Sequence, residues 1–360
     1  MKIIERFEIP YYQYLNEHGQ LSADAPALAK DLAKLTELYR LMVLVRTMDA
    51  KAIALQRTGK LGTYPSTRGQ EAIFVGIGNA LQQQDIFVPY YRDMGTLIQR
   101  GVKLSQILLY WGGDERGNCF TPESRDFPYS VPIGTQSLHA TGAAFALKYR
   151  QQKAAVLAMC GDGATSQGDF YEALNVAAVW KLPVVFVVAN NQWAISVPRS
   201  QQSAAQTLAQ KAIAAGFVGE QLDGNDIIAV HERTALALEK ARNTQQPALL
   251  EMLCYRQSDH TTADDASRYE PAGLREQEWP KEPIARLQKY LQQHGVWDDN
   301  QEAELQTHVS TEVDAAVHEY LSTPAQAVTD IFDYLYAELP AIYQTQRSTL
   351  LNTEENSIHG

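Results

Sequence analysis

The spacing of apolar residues predicts alternating strands and helices along the middle of this chain. Residues 153–160 and 184–188 are apolar on both faces, as expected for central strands of a buried parallel sheet. Between them, apolar residues recur at i, i+4 and i+7 from Phe170 within 168–180, which is the pattern of one helix face. A strand, a helix and a second strand in this order form a βαβ unit, which packs right-handed into a parallel sheet.

Segments of the same kind flank this unit and extend the predicted sheet. The patterns predict helices over 32–57, 71–81 and 203–215 and from Ile227, and strands over 85–91, up to Asp223 and over 248–255. We therefore expect an α/β fold with a doubly wound parallel sheet. Residues 1–25 are predicted to form an N-terminal arm, 26–275 the α/β domain, and 276–360 a helical C-terminal tail packed on that domain.

Composition narrows the function classes without choosing one. The 360 residues carry a net charge of −11 and no basic run, which is unfavourable for binding nucleic acid or an anionic membrane. Three widely spaced cysteines match neither a disulfide framework nor a zinc site and are typical of a reducing compartment. Because charged residues interrupt the N-terminus and no apolar run approaches membrane-span length, the cytoplasm is the expected location.

Two predicted strands end in residues suited to binding an anion together with a metal ion. The first leads into the turn Gly161-Asp162-Gly163, and the second ends at Asn190-Asn191. Ligands of open α/β sheets bind beyond the carboxyl ends of the strands, so these two ends are expected to share a site. One carboxylate and one amide oxygen suit Mg²⁺, which shares its coordination shell with phosphate oxygens. These features favour a diphosphate bound with magnesium.

Three other interpretations of the glycine turn are weaker. The third glycine of the dinucleotide motif G-x-G-x-x-G would fall at Ser166, so that motif fails. The phosphate-binding loop G-x-x-x-x-G-K-[ST] is also absent from the sequence. A plain strand-to-helix turn remains possible for Gly161 to Gly163 alone, but the asparagine pair one βαβ unit later argues against it.

The segment GDGATSQGDFYEALNVAAVWKLPVVFVVANNQWAIS resembles the thiamine-diphosphate motif, which begins with GDG and ends with NN. More narrowly, the chain resembles the α subunits of the 2-oxo acid dehydrogenase complexes. The resemblance extends over most of its length and includes GTYPSTRGQEA, FVPYYRDMG and YRQSDHTTADDASRY. It implies the thiamine-diphosphate-binding fold, with thiamine diphosphate and Mg²⁺ as cofactors.

The resemblance also assigns roles around the glycine turn. Asp162 and Asn191 match the magnesium ligands of the family, and the main-chain carbonyl of Trp193 matches the third protein ligand. Gly163 and Ala164 match positions whose backbone N–H groups contact the diphosphate. Ala189 lacks the polar side chain that some relatives carry there, so a further phosphate contact is not implied.

Three more residues are assigned to the cofactor by the same resemblance. Tyr91 and Arg92 match a tyrosine–arginine pair that contacts the diphosphate, which a guanidinium can bind through two oxygens. Taken alone, Arg92 would be interpreted as a surface cation. Ile133 matches a position near the ring system of the cofactor, and ordinary core packing is the alternative for it.

The polar segment 256–268 is expected to be an exposed loop that can move, and its residues 257–268 are expected to order when diphosphate binds. Within it, His260 matches the active-site histidine of the family, and Arg256 is a further candidate for binding the diphosphate. Neighbouring carboxylates are expected to favour the protonated form of His260. They are Asp259, Asp264 and Asp265. Without the resemblance, a histidine in such a loop would be interpreted as merely solvent-exposed.

The resemblance implies an enzyme subunit that acts with partners. It implies oxidative decarboxylation of a small 2-oxo acid and transfer of the acyl group to the lipoyl group of an acyltransferase component. Pyruvate is the expected substrate, with branched-chain 2-oxo acids and acetoin as alternatives. The carboxylate that activates the aminopyrimidine would lie on a separate β subunit, in an α2β2 assembly. A non-catalytic thiamine-diphosphate-binding scaffold is the alternative from another class.

Overall fold

A computed structural model describes residues 1–121 and 124–358 of the chain. Its strands are β1 (Tyr11–Tyr12), β2 (Ile86–Val88), β3 (Val156–Gly161), β4 (Val184–Asn190), β5 (Trp193–Ala194), β6 (Val197–Pro198), β7 (Gly219–Asp223) and β8 (Ala248–Leu253). Its helices are α1 (Leu32–Arg57), α2 (Glu71–Ala80), α3 (Met94–Gln99), α4 (Leu104–Trp111), α5 (Thr135–Tyr149), α6 (Gly168–Val179), α7 (Arg199–Gln202), α8 (Lys211–Ala215), α9 (Ile227–Thr244), α10 (Leu274–Glu278), α11 (Pro283–Gln293), α12 (Asp299–Ser322), α13 (Asp330–Asp333) and α14 (Ala341–Ile358).

Six of the strands form one parallel sheet in the order β1-β7-β8-β4-β3-β2. The central strands β3 and β4 pair in register, so that Gly161 lies opposite Ala189 at their carboxyl ends. Strands β2, β3 and β4 are successive neighbours in the sheet, and the direction reverses at β7, from which the chain returns to β8 beside β4. The predicted α/β class with a parallel sheet is confirmed, and ligands of such sheets bind beyond the carboxyl ends of the strands.

Both faces of the sheet are covered. One face packs alternate residues of β2, β3 and β4, among them Val156, Val184 and Phe186, against Phe170 and Leu174 of α6 and against α5. Helix α9 contacts β4, β7 and β8, and it packs on α2. Strands buried on both faces explain why the sequence shows continuous apolar runs instead of alternation.

The predicted helix over 203–215 is wrong for most of its length, since only Lys211–Ala215 is helical there. The buried carboxylate of Glu251 on β8 accepts hydrogen bonds from the backbone N–H groups of Leu208 and Ala209, at 2.7 and 3.0 Å. These bonds hold the backbone in an irregular path that the local apolar spacing cannot indicate. The strand predicted over 85–91 is reduced to Ile86–Val88.

Residues 11 and 12 of the predicted arm extend the sheet. Strand β1 pairs in parallel with β7, and the carboxylate of Asp226 accepts hydrogen bonds from the backbone N–H groups of Tyr14 and Leu15, at 2.6 and 2.8 Å. The chain forms two compact units, Met1–Val317 and His318–Gly360. The division predicted from the sequence, with boundaries after residues 25 and 275, stays a prediction, and residues 359 and 360 lie outside the described part.

Candidate active site

The carboxyl ends of β3 and β4 bring Asp162 and Asn191 to the same edge of the sheet. Asp162 begins a short turn of 3₁₀ helix, Asp162–Ser166, that leads towards α6. Its backbone carbonyl accepts hydrogen bonds from the hydroxyl of Thr165 and from the amide of Gln202, at 2.8 and 2.9 Å. This turn is therefore fixed from two directions, which orients the Asp162 side chain.

One oxygen of the buried Asp162 carboxylate has no hydrogen-bond partner in the described part of the chain. The residue is 1% exposed, and its Oδ2 atom is buried without a hydrogen-bond partner among the described residues. Burial raises the pKa of this carboxyl to about 7. Because an unpaired buried carboxylate is costly, a bound cation would satisfy it. No cluster of three or more His, Cys, Asp or Glu side chains occurs within the described residues, so further ligands would come from amide, carbonyl and ligand oxygens.

Asn191 is oriented by a second buried amide. Its Nδ2 donates a hydrogen bond to Gln70 Oε1 at 3.1 Å, and its Oδ1 accepts one from the backbone N–H of Trp193 at 3.2 Å. Both amide side chains are buried, Gln70 fully so. The sequence analysis missed Gln70, although it lies inside the GQEA motif, because nothing in the sequence places it beside Asn191.

Gly163 allows the turn to approach β5 closely. A Cβ atom at this position would lie 2.9 Å from the Cβ of Ala194, closer than side chains pack. Any side chain here would displace β5, and with it the carbonyl of Trp193 that the family resemblance assigns as a magnesium ligand. The glycine is thus required by packing as well as by any approach of a ligand.

Two buried guanidinium groups flank His260. Arg92 donates to the carbonyl of Ser66 at 2.5 Å and to the carbonyl of His260 at 2.7 Å. Arg256 donates to the carbonyl of Ile195 at 2.9 Å. Each arginine is at most 2% exposed, and neither forms an ion pair with a carboxylate in the described part of the chain. Two buried cations without a direct carboxylate contact among the described residues favour binding of a multivalent anion.

His260 is neutral in this arrangement, and the expectation of a protonated form is wrong. Burial, followed by the charges of Arg92 and Arg256, lowers the pKa of His260 to about 3, and Asp264 opposes this shift only in part. Arg92 Nη2 lies 3.0 Å from His260 Nδ1. Because a guanidinium can only donate, Nδ1 must accept, which leaves the proton of the neutral ring on Nε2. The sequence shows the nearby aspartates but cannot show the two arginines.

A cavity of about 240 Å³ joins these groups. Nine of the ten predicted site residues line it. They are Tyr91, Arg92, Ile133, Asp162, Gly163, Ala164, Asn191, Trp193 and His260. The tenth, Arg256, lies behind His260, with Nη1 3.5 Å from His260 Nδ1.

The cavity decides two alternatives that the sequence left open. Ile133 is 47% exposed and lines the cavity wall, so core packing does not account for it. Arg92 is buried at 2% exposure and is no surface cation. The ring of Tyr91 packs edge-on against the His260 ring, with centroids 6.2 Å apart, and Arg92 lies over the same tyrosine ring. Tyr91 therefore helps to hold both neighbours in place.

Comparison with known proteins identifies the family. Residues 39–329 match the family model described as dehydrogenase E1 component. The chain belongs to the dehydrogenase E1 component family. It is 41% identical over 333 residues to the pyruvate dehydrogenase E1 component subunit alpha of Bacillus subtilis (strain 168), covering 91% of this chain and 89% of that protein. The protein of the same name from Staphylococcus aureus (strain Mu50 / ATCC 700699) is 40% identical over 332 residues, with the same coverage.

Segment 256–268 of this E1-family chain is less exposed than predicted. Arg256 and Ala266 are each 1% exposed, and the backbone N–H of Thr262 donates to the carbonyl of Tyr64 at 2.9 Å. Buried anchors of this kind compensate for the absence of large aliphatic side chains in the segment. That the segment is mobile without cofactor and orders when diphosphate binds stays a prediction.

The sequence analysis missed other residues of the cavity wall in this E1-family chain. They are Tyr90, Gly134, Gln136, Cys160, Gly161, Gln167, Ala194 and Ile195. Ile195 adopts φ +56°, which is unusual for a β-branched residue, and its side chain is 55% exposed. The local sequence gives no indication of such a backbone conformation. Ile195 does lie within the quoted thiamine-diphosphate segment, immediately before its last residue.

The neutral state of His260 gives a prediction for pH dependence. A histidine whose pKa lies near 3 stays unprotonated well below the ordinary titration point near 6.5. In the αβ assembly without cofactor, we expect the Cε1–H NMR signal of His260, assigned by its absence from His260→Asn, to keep its position between pH 7 and pH 5. N-acetylhistidine in the same sample serves as the control, and its signal should shift over this range. A parallel shift at His260 would contradict the neutral assignment.

Proposed function

We propose that this chain is the α subunit of a thiamine-diphosphate-dependent pyruvate dehydrogenase (acetyl-transferring). The observation that carries the proposal is the likeness to pyruvate dehydrogenase E1 component α subunits over 91% of the chain. The cavity supports it independently, because it is lined by an unpartnered buried carboxylate oxygen and by the buried guanidinium of Arg92, with that of Arg256 behind His260. A metal–diphosphate group would satisfy both kinds of unpaired charge.

Different residues of the proposed cofactor site would bind the metal ion and the diphosphate. Asp162, Asn191 and the carbonyl of Trp193 would hold Mg²⁺, and the backbone N–H groups of Gly163 and Ala164 would contact the diphosphate. Tyr91, Arg92 and Arg256 would bind its remaining oxygens. Thiamine diphosphate, when bound, supplies the electron sink for decarboxylation of a 2-oxo acid. The chain supplies fixed, water-excluding positions for charge, which need no rearrangement during the reaction.

His260 is the proposed acid–base or electrostatic group. The neutral ring carries its proton on Nε2, since Nδ1 faces Arg92, so it can donate a hydrogen bond at the cavity wall. The guanidinium at Nδ1 fixes the ring orientation and the tautomer. The same guanidinium would be drawn towards a bound diphosphate, which would make His260 more basic when the cofactor is present. Proton transfer by His260 would therefore depend on the presence of the bound cofactor.

The cavity also supports the need for a second subunit. Asp162 is the only carboxylate that lines it within the described residues, and the metal would occupy that group. The carboxylate that activates the aminopyrimidine must then come from another chain. Val131, Ile133 and Ile195 are 46%, 47% and 55% exposed. Exposed apolar side chains at and beside the cavity are a surface that a partner would cover, and we propose a β subunit in an α2β2 assembly.

The first test of the proposal compares the α chain with the assembled protein. We expect purified α chain to release no CO₂ from pyruvate in the presence of Mg²⁺ and thiamine diphosphate, because half of the site is missing. Adding the β chain should restore decarboxylation, and adding the lipoyl acyltransferase component should allow acyl transfer. Sustained turnover by the α chain free of β would refute this division of labour.

The substrate is tested on the αβ assembly by comparing kcat/KM for pyruvate, 2-oxoisovalerate and acetoin. A preference for pyruvate supports the proposal, and a preference for either of the others assigns the chain to a branched-chain or an acetoin enzyme. The proposed compartment is the cytoplasm. All three cysteines are free thiols, as a reducing environment favours. No helix in the described part of the chain is long and apolar enough to span a membrane.

A further inference from the structure

Asp49 is a buried carboxylate in the middle of α1 that does not line the cavity. It is 2% exposed, and it accepts four hydrogen bonds from the loop that precedes α2. Oδ1 accepts from the hydroxyl of Tyr64 at 3.0 Å and from the backbone N–H and hydroxyl of Thr67 at 2.7 and 3.2 Å. Oδ2 accepts from the hydroxyl of Ser66 at 2.7 Å. One side chain thus fixes three of the seven residues in the loop, which we name segment 64–70.

Segment 64–70 contacts two parts of the candidate site directly. The hydroxyl of Ser66 donates to Asp49. The carbonyl of the same residue accepts a hydrogen bond from Arg92 at 2.5 Å. The side chain of Gln70, at the end of the segment, accepts one from Asn191 at 3.1 Å. The segment therefore reaches a proposed diphosphate-binding residue and a proposed metal ligand.

The same segment also anchors the part of the chain that carries His260. Tyr64 exchanges two backbone contacts with Thr262, accepting from its N–H at 2.9 Å and donating to its hydroxyl at 3.0 Å. The carbonyl of Arg68 accepts a hydrogen bond from the N–H of Gln257 at 3.1 Å. These contacts flank His260 on both sides in sequence.

Segment 64–70 packs tightly against the backbone at Tyr255. Gly69 has φ +88°, and a Cβ atom there would lie 2.5 Å from the carbonyl oxygen of Tyr255. A small shift of segment 64–70 would therefore press on the chain leading to Arg256, or open a gap beneath it. Packed elements of this kind transmit displacement, because their interiors are close-packed.

We propose that Asp49 is a positioning residue that acts through segment 64–70 to set Arg92, Asn191 and the His260 loop for cofactor binding. It does not touch the cofactor site itself. Its effect follows from a network in which one carboxylate accepts four hydrogen bonds, so that its loss frees several groups together. The part concerning the cofactor rests on the proposed function, whereas the coupling between Asp49 and the His260 loop does not.

Calorimetry on the αβ assembly tests the cofactor part, with magnesium thiamine diphosphate as the probe. Asp49→Ala is expected to weaken binding by about 10- to 100-fold, as outer partners of metal ligands do. At saturating cofactor its kcat should fall by a smaller factor than the affinity, because the reacting groups are kept and only their support is loosened. Asp49→Asn keeps an oxygen at Oδ1 and should retain much of the affinity.

Tyr39→Phe is the matched control for loss of a buried hydrogen bond on the same helix. The hydroxyl of Tyr39 donates to Glu302 at 2.7 Å, and among the described residues no hydrogen bond joins it to segment 64–70. This variant should lower the thermal midpoint without changing cofactor affinity. The proposal is overturned if Asp49→Ala behaves as Tyr39→Phe does, or if Asp49→Asn loses as much affinity as Asp49→Ala.

Limited proteolysis without cofactor tests the coupling separately. In Asp49→Ala, cleavage within 257–268 is expected to become faster than in the unmodified assembly, because the anchors at Gln257 and Thr262 are loosened. If Asp49→Ala does not fold, Ser66→Ala removes one of the four bonds and should show a smaller change in the same direction. Unchanged cleavage in a folded variant refutes the coupling, even if the proposed cofactor proves wrong.

Discussion

Replacing Asp162 with alanine is expected to abolish magnesium-dependent binding of thiamine diphosphate while the fold stays intact. The side chain is the only carboxylate of the cavity within the described residues, and its Oδ2 atom has no protein partner there to lose. Removing it should cost more than the roughly 10- to 100-fold seen for outer partners of metal ligands. Because an unpaired buried charge disappears, the thermal midpoint without cofactor should not fall.

Calorimetry on the αβ assembly, with and without Mg²⁺, measures this effect. Glu239→Ala removes a carboxylate from the exposed face of α9, away from the cavity, and is the control for loss of charge alone. An unchanged affinity in Asp162→Ala would contradict the proposed metal site. A large fall in thermal midpoint without cofactor would instead show that the carboxylate has a structural role.

Replacing His260 with asparagine is expected to lower turnover by about 10²- to 10⁴-fold, the range for loss of a positioned acid–base group. Asparagine leaves an acceptor that can face Arg92, so the arginine keeps a partner near the position of Nδ1. Cofactor affinity should therefore change much less than the rate. The substitution removes the Nε2–H of the neutral ring, which is the proposed proton donor.

Steady-state decarboxylation and acyl transfer at saturating cofactor separate the two effects. His139→Asn is the matched control, since His139 is exposed on α5 and does not line the cavity. A His260→Asn variant that binds cofactor poorly but turns over at the normal rate would assign His260 to binding. A rate equal to that of the control would remove it from the mechanism altogether.

The sequence located most of this site because its residues lie at the ends of the strongest local patterns. The apolar runs that become β3 and β4 end at Asp162 and Asn191, and parallel strands must bring those ends together. Tyr91 and Arg92 follow a third such run, which contains β2. The resemblance to a known family added Ile133 and His260, which no period in the sequence would indicate.

The errors arose where a distant side chain overrides the local pattern. The carboxylate of Glu251 holds the backbone at Leu208 and Ala209 out of the helix that their spacing predicts. Likewise, the aspartates near His260 in sequence suggested a protonated ring, whereas two arginines from separate segments keep it neutral. Both effects depend on contacts between residues that are far apart in sequence.

What the sequence by itself determined is the class of fold, the positions of the central strands along the chain and the residues at the ends of those strands. These depend on periodicity and on turn residues, which are local. Only the tertiary structure decided the charge state of His260, the burial of Arg92 and Arg256, and the link from Asp49 through segment 64–70. Burial and electrostatic shifts depend on all the groups that surround an atom, and folding alone brings those groups together.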